Sequence, residues 1–335
     1  MESSSSILST AVDIPYIDRA PSVVAYNVTS TLIAVSDGRR VVIRGALRPE
    51  DKACVSTYVE ERDVSVVEVP SNAGVVSALC WVGPGHVLCC GTDTGVVLVY
   101  GEPPRKLNRE VEEDIQYEEW SMLRYSTAGV VCMERCPDRL SMDGGPVLSV
   151  GYRDGVVRLF EQANLLCGDW SVHSVIDANG LKGCTCMSWK KQESYDDGDG
   201  VLLPPVVAIG YEGSSTPQLY YYDKKRFRWH SVDIAGGRRE GSMSAVSWAP
   251  LLGRSHDLIA SASGSEVTIW SLAGPLDSLD SLDIVATLPH DSSVWQLGWN
   301  MLGNWLAAST NNNTVCLWRP DLAGEWIMLN TITGK

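Results

Sequence analysis

The residues of this chain that could do covalent or metal chemistry stand at spacings that keep them from acting together. Ten cysteines and five histidines suggest a metal centre at first. The pairs Cys132/Cys136 and Cys184/Cys186 do not make a zinc set, however, and the histidines are scattered along the chain. The cysteines fall inside apolar runs such as Val87-Leu88-Cys89-Cys90 and Cys184-Thr185-Cys186-Met187, as reduced, buried thiols do. The stretch Glu193 to Gly200, ESYDDGDG, resembles half a calcium loop. Its twelfth position counted from Asp196 is Val207, where a bidentate Glu would be required. No nucleophile elbow, phosphate loop or deaminase signature is present, and His173 and His290 stand alone. The expectation is a chain with no catalytic, cofactor or metal residues, acting through surfaces.

Which surfaces depends on the elements, and the clearest lie between Val294 and Pro320. Three short apolar runs, Val294 to Trp299, Trp305 to Ser309 and Thr314 to Trp318, are separated by Asn/Gly-rich turns, which predicts an antiparallel meander. Asn311-Asn312-Asn313 suits a tight hairpin because Asn tolerates positive φ. The runs leave little room for a solvated face, so the sheet must be covered on both sides, as the blades of a β-propeller are.

The pattern recurs. First strands end in a bulky residue at Tyr26, Trp81, Trp189, Trp248 and Trp299, with Arg135 in the corresponding place once, at intervals of 51–59 residues. Third strands end at Arg44, Tyr100, Phe160, Tyr222, Trp270 and Trp318, and Trp120, Trp170, Trp229 and Trp326 open an outer strand. The fold class expected is all-β: a propeller of six four-stranded blades over residues 16–335, preceded by a Ser-rich disordered tail over 1–15. Blade one leaves two choices for its outer strand, Ala53 to Val59 or Val64 to Val69. Twelve tryptophans against two phenylalanines make indole the main packing group.

Strand order then matters. The first recognisable strand, Val23 to Val28, is an innermost one, and the last, Glu325 to Ile332, an outermost one. No strand is exchanged between the termini, so the ring is expected to be open, with a gap between first and last blades. Such a gap exposes apolar faces, and large exposed apolar surfaces mark partner sites.

Composition narrows the partners. A net charge of −14 repels a polyanion, and no basic run is longer than Lys224-Lys225-Arg226, which argues against nucleic acid. No segment approaches 18 consecutive apolar residues and the N-terminus has no basic-then-apolar leader, so a soluble, intracellular chain without a transmembrane segment is expected. The segment Arg105 to Glu119, acidic over residues 109–119, reads as a solvated loop rather than a docking site.

From Gly129 on, the chain resembles the Seh-type WD-repeat nucleoporins, sisters of the WD protein of the COPII outer vesicle coat. The residues that carry the resemblance are Ser247-Trp248-Ala249-Pro250-Leu251-Leu252-Gly253-Arg254-Ser255 with Leu258-Ile259-Ala260, and Val294-Trp295-Gln296-Leu297-Gly298-Trp299-Asn300 with Gly303 and Leu306-Ala307. Asp154-Gly155-Val156-Val157-Arg158-Leu159-Phe160, Trp170-Ser171-Val172 and Cys184-Thr185-Cys186-Met187-Ser188-Trp189 support it. Residues 1–128 share only the spacing; no Trp-Asp dipeptide survives, and Arg135 and Arg44 replace aromatics.

The resemblance implies an open six-bladed ring completed by a blade that a helical scaffold nucleoporin inserts. It implies a non-enzymatic subunit of the outer-ring Y complex, at the nuclear pore in the nuclear envelope, in contact with other Y-complex subunits. Family members also serve in the SEA/GATOR assembly of amino-acid signalling, in the cytoplasm and at the vacuole or lysosome surface. A COPII coat subunit and a closed-ring peptide-binding adaptor are the alternatives. The candidate partner-binding residues are Val23, Val24, Tyr26, Ile33 and Val35 on blade one, with Trp305, Leu306, Leu317 and Trp318 on blade six.

Overall fold

A computed structural model describes residues 23–27, 32–46, 61–82, 87–102, 116–137, 140, 145–164, 169–178, 180–191, 204–232, 239–272 and 282–334. The tail 1–15 and the calcium-like loop 193–200 lie outside the described residues, as does most of the acidic segment. Among the described residues no helix is long and apolar enough to cross a membrane.

The strands fall into six four-stranded antiparallel sheets, each built from four consecutive strands in chain order. Blade 1 holds β1 (Val23–Tyr26), β2 (Leu32–Asp37), β3 (Arg40–Ala46) and β4 (Glu61–Glu68). Of the two choices for its outer strand, Val64 to Val69 is the one realised, the strand itself running over Glu61–Glu68. Blade 2 holds β5 (Val76–Val82), β6 (Val87–Thr92), β7 (Val96–Gly101) and β8 (Glu118–Arg124). Blade 3 is β9 (Val130–Arg135), β10 (Val147–Tyr152), β11 (Val157–Asn164) and β12 (Asp169–Ile176). Blade 4 is β13 (Lys182–Trp189), β14 (Val206–Glu212), β15 (Gln218–Asp223) and β16 (Arg228–Ser231). Blade 5 is β17 (Met243–Trp248), β18 (Asp257–Ser263), β19 (Glu266–Leu272) and β20 (Asp283–Pro289). Blade 6 is β21 (Val294–Trp299), β22 (Leu306–Thr310), β23 (Thr314–Pro320) and β24 (Trp326–Thr333).

Innermost strands pack in sequence, β1 on β5, β5 on β9, β9 on β13, β13 on β17 and β17 on β21. Each junction buries its own apolar core, with the members of a blade alternating between the core before it and the core after it because strand side chains alternate faces. The three tyrosines show the rule: Tyr220 and Tyr222 join the core between blades 3 and 4, while Tyr221 packs toward blade 5. Glycines keep the inner junctions close. A Cβ on Gly151 would lie 2.7 Å from the Sγ atoms of both Cys132 and Cys184.

Indole nitrogens tie blades 2, 4 and 6 each to the blade before it. Trp81 Nε1 donates to the Ala25 carbonyl (3.1 Å), Trp229 Nε1 to Ser174 Oγ (3.1 Å) and Trp299 Nε1 to the Ser247 carbonyl (3.0 Å). Trp189 Nε1 reaches Ser149 Oγ (2.8 Å), whose own proton goes to the Glu134 carbonyl. A buried indole N–H needs such an acceptor, which gives Trp its value over Phe in this fold. Between blades 4 and 5 the tie is ionic: Lys190 Nζ lies 2.5 Å from Asp257 Oδ2, and both side chains are largely buried.

Candidate functional site: the open seam

Among the described residues, the six blades have five apolar cores between them. Among the described residues no packing comparable to the other junctions joins β21 to β1. The central strands β6 and β10 of inner blades are buried at every position. In blade 6, by contrast, β22 alternates buried and half-buried residues; in blade 1 the innermost β1 alternates half-buried and exposed ones, while β2 is buried over its four central positions. That alternation is the signature of a sheet covered on one face only.

Register defines the two uncovered faces. In blade 1, Val24 pairs with Val35, Val35 with Val42 and Val42 with Val66, giving an apolar row across all four strands. A second row runs from Tyr26 through Ile33 to Arg44. Val24, Tyr26 and Val66 are exposed, whereas Ile33 and Val35 are buried on the same face. In blade 6 the rows are Gly298–Ala307–Leu317–Asn330 and Gln296–Ser309–Val315–Ile332. Ile332 is exposed, Leu317 and Val315 are half-buried, and Trp305, just ahead of β22, is exposed.

Tyr26 shows most directly what is missing. It holds the place that Trp81, Trp189 and Trp248 hold in their blades, where they are 3%, 3% and 1% exposed; Tyr26 is 60% exposed. It has no preceding blade to cover it. Gly298 makes the same point from the other side, since a Cβ there would meet nothing within 4 Å.

The structure therefore brings six of the nine candidate residues to the seam: Val24, Tyr26, Ile33, Val35, Trp305 and Leu317. Three face the other way. Val23 packs against the core between blades 1 and 2, and Leu306 and Trp318 are buried in the core between blades 5 and 6. Each is the immediate chain neighbour of a seam residue, and adjacent strand residues cannot share a face. Trp318 is further fixed by its Nε1–H, which donates to His290 Nε2 (3.1 Å). His290 then carries its proton on Nδ1, 3.1 Å from the Leu288 carbonyl, and burial holds its pKa below the ordinary imidazole value. Val42, Val66, Val315 and Ile332 belong to the seam without having been singled out from sequence; pairing them strand by strand to Val24 and Leu317 was the available signal.

Among the described residues no catalytic arrangement accompanies the seam. Among the described residues the most perturbed carboxyl is Glu134, pushed up to about 8 chiefly by burial, against which the hydrogen bond from the Trp189 backbone N–H works. A shift of that size can mark an active site. Here Glu134 lies half-buried between blades 3 and 4 beside Cys132, Cys136 and Cys186; the hydrogen bond with Cys184 and then burial raise the Cys132 thiol, and burial raises those of Cys136 and Cys186, so no thiolate nucleophile accompanies it.

Its consequence is for stability. The folded chain keeps a proton that the unfolded chain loses near pH 4.5, so the Glu134 contribution is complete below pH 4.5 and is lost as pH rises through about 8. The slope is at most about 1.4 kcal/mol per pH unit. Glu134→Gln keeps a neutral acceptor for the Trp189 N–H and should flatten this part of the profile. Denaturant midpoints of both proteins at pH 6 and pH 8 give the comparison; equal pH dependence in the two would refute the assignment.

No family model matches the chain. Individual relatives do. Nucleoporin SEH1-B of Xenopus laevis is 23% identical over 281 residues, spanning 79% of this chain and 74% of its own length. Protein SEH1 of Arabidopsis thaliana is 26% identical over 259 residues, 72% of this chain and 76% of its own. The protein SEC13 homolog of Drosophila melanogaster is 24% identical over 289 residues, covering 83% and 74%. These spans exceed the part of the chain from Gly129 on, so the likeness reaches into the first blades. A chain in the solved structure titled "Crystal Structure of Mitotic Checkpoint Complex" superposes with a TM-score of 0.56 at 16% identity, over 88% of this chain and 73% of that one, which supports the fold alone. On sequence and fold together, the chain is a six-bladed β-propeller that is similar in sequence to the SEH1 proteins.

Proposed function

We propose that the chain is a non-enzymatic scaffold subunit of the nuclear pore's outer-ring Y complex, and that a helical scaffold nucleoporin completes its ring by inserting a blade at the seam. The carrying observation is the missing sixth core: the facing sides of blades 1 and 6 present Val24, Tyr26, Val66, Trp305 and Ile332 to solvent. Fully burying one large apolar side chain contributes ~1.5–3 kcal/mol, so an occupant covering several of them gains enough to offset its own ordering. The inserted blade would bury more than roughly 2,000 Å² in total, the range of permanent complexes.

Blade-to-blade chemistry suggests how the occupant docks. Trp81 and Trp299 each donate to a carbonyl on the preceding blade's inner strand. Tyr26 stands in the same position, and its hydroxyl is expected to donate to a carbonyl of the inserted inner strand. The likeness to the protein SEC13 homolog, at 24% identity, favours one second reading, a subunit of a vesicle coat built on the same seam.

Affinity purification of the tagged chain from its own cells, with mass spectrometry of stoichiometric partners after a high-salt wash, separates these readings. Recovery of a helical nucleoporin with outer-ring neighbours is expected. Coat subunits, SEA-type partners, or nothing stoichiometric would overturn the pore assignment. In the same assay the double variant Tyr26→Asp, Leu317→Asp should retain at most about a tenth of the partner, since each change buries a charge against an apolar face. Its melting temperature should stay close to wild type.

A further inference from the structure

Blades 2 and 3 leave a groove of about 590 Å³ where their connecting turns meet, away from the seam. Thr94, Arg124, Tyr125, Ser126, Asp154 and Arg158 are among its walls. Arg158 comes from β11 and rises toward the blade 2 side, with its guanidinium carbon 4.9 Å from the centre of the Tyr152 ring. Its Nη1 is sealed from solvent and has no hydrogen-bond partner. Arg158 as a whole is half-buried, but a guanidinium nitrogen shut off from water without an acceptor is costly, because it has lost its hydration and gained no hydrogen bond.

The one acid in the groove does not supply that counter-ion. Asp154 is committed to its own turn, its Oδ1 accepting the Val156 N–H (3.0 Å) and its Oδ2 lying 3.5 Å from the Ser126 hydroxyl. Arg124 brings a second guanidinium whose Nε is 3.1 Å from Met122 Sδ, a weak acceptor. Two arginines therefore converge on a concave site in a chain whose net charge is −14. With that overall charge, long-range attraction cannot gather anions here, and affinity must come from contact within the groove.

We propose that this groove binds an anionic side chain, carboxylate or phosphoryl, carried by an extended segment of a partner protein. Arg158, half-buried, is the anchor, Arg124 closes over the ligand, and the half-exposed ring of Tyr125 offers a wall for the neighbouring residue. Planar guanidinium groups suit both oxyanions. A bilayer surface fits less well, because it is flat and Arg158 lies recessed in the groove. The site is independent of the seam, and its failure would leave the scaffold reading untouched.

The test uses the full chain with its arginine side-chain Nε–H resonances labelled with ¹⁵N. Inorganic phosphate and acetate are titrated at constant ionic strength. A saturable shift of the Arg158 and Arg124 signals is expected with at least one of the two anions, and which one responds separates phosphoryl from carboxylate. Arg124→Gln should weaken binding about tenfold, the value of one charge-assisted hydrogen bond. Arg158→Met should abolish it while leaving the melting temperature unchanged or higher, since it removes a guanidinium nitrogen buried without an acceptor; a purely structural arginine would lower it. Absence of a saturable shift with either anion, or an unaltered affinity in Arg124→Gln, overturns the proposal. Arg158-dependent sedimentation with vesicles containing phosphatidylinositol phosphate overturns it too, giving the groove to a lipid headgroup instead.

Discussion

Asp257→Ala is expected to lower the stability of the chain by about 3–5 kcal/mol, the cost of breaking a buried ion pair from one side. Asp257 holds two groups at once: the Lys190 ammonium from blade 4 through Oδ2, and the Trp248 indole N–H from its own blade through Oδ1 (3.1 Å). Removing the carboxylate strands a cation and an indole N–H in the junction between blades 4 and 5. Lys190→Met leaves Asp257 its indole donor and should cost less. Replacing both, as in Lys190→Met with Asp257→Leu, should recover much of the loss, because an apolar pair carries no desolvation penalty. Urea midpoints of the three variants at pH 7 decide the matter. A loss below ~1 kcal/mol for Asp257→Ala would mean that solvent reaches the pair more freely than its burial indicates.

Gly303→Ala should cost roughly 2–4 kcal/mol, the sum of a left-handed backbone and a forced overlap. Gly303 has φ +66°, and a Cβ there would lie 2.3 Å from the Pro250 carbonyl oxygen, a backbone atom that cannot swing aside. The same contact holds Arg254, whose Nη1 donates to the Gly303 carbonyl and Nη2 to the Pro250 carbonyl, each at 2.5 Å. That clamp joins the loop of blade 5 to the first turn of blade 6, and it gives the Gly253-Arg254-Ser255 sequence a structural task. Gly298→Ala provides the contrast, with open space around its Cβ and an expected change within about 0.5 kcal/mol. Thermal unfolding of the pair measures the difference; similar losses in both would refute the account of Gly303.

Much of this architecture could be read from residue types. The bulky ends of the first strands and the indoles opening the outer strands marked all six blades, because their packing needs are stated by the side chains themselves. The phase of each strand was harder. Several inner strands carry an irregularity near their start, at Val76/Ala78, Cys184/Cys186, Met243/Ala245 and Val294/Gln296, where the pairing advances by an extra residue. Val294 and Leu297 consequently face the same core although three residues apart. Counting by twos through such a bulge assigns the wrong face. In Val23/Val24, Trp305/Leu306 and Leu317/Trp318 both neighbours are apolar, so composition gives no hint of which one looks outward; only cross-strand pairing does. Glu134 could not be anticipated either, since burial by blade 4 is a tertiary fact.

A closed ring has no ends, whereas a row of six units joined at five junctions has two. Each unit then depends on its nearest neighbours, much as in linear repeat arrays, and the outermost units have only one neighbour each. Blades 1 and 6 should exchange their amide hydrogens by local opening well before blades 3 and 4 do. Anything that bridges the two ends converts the row into a cycle and removes both fraying points at once. Occupancy of the gap would therefore register as slowed exchange in the first and last blades together, and as a sharper unfolding transition for the whole chain.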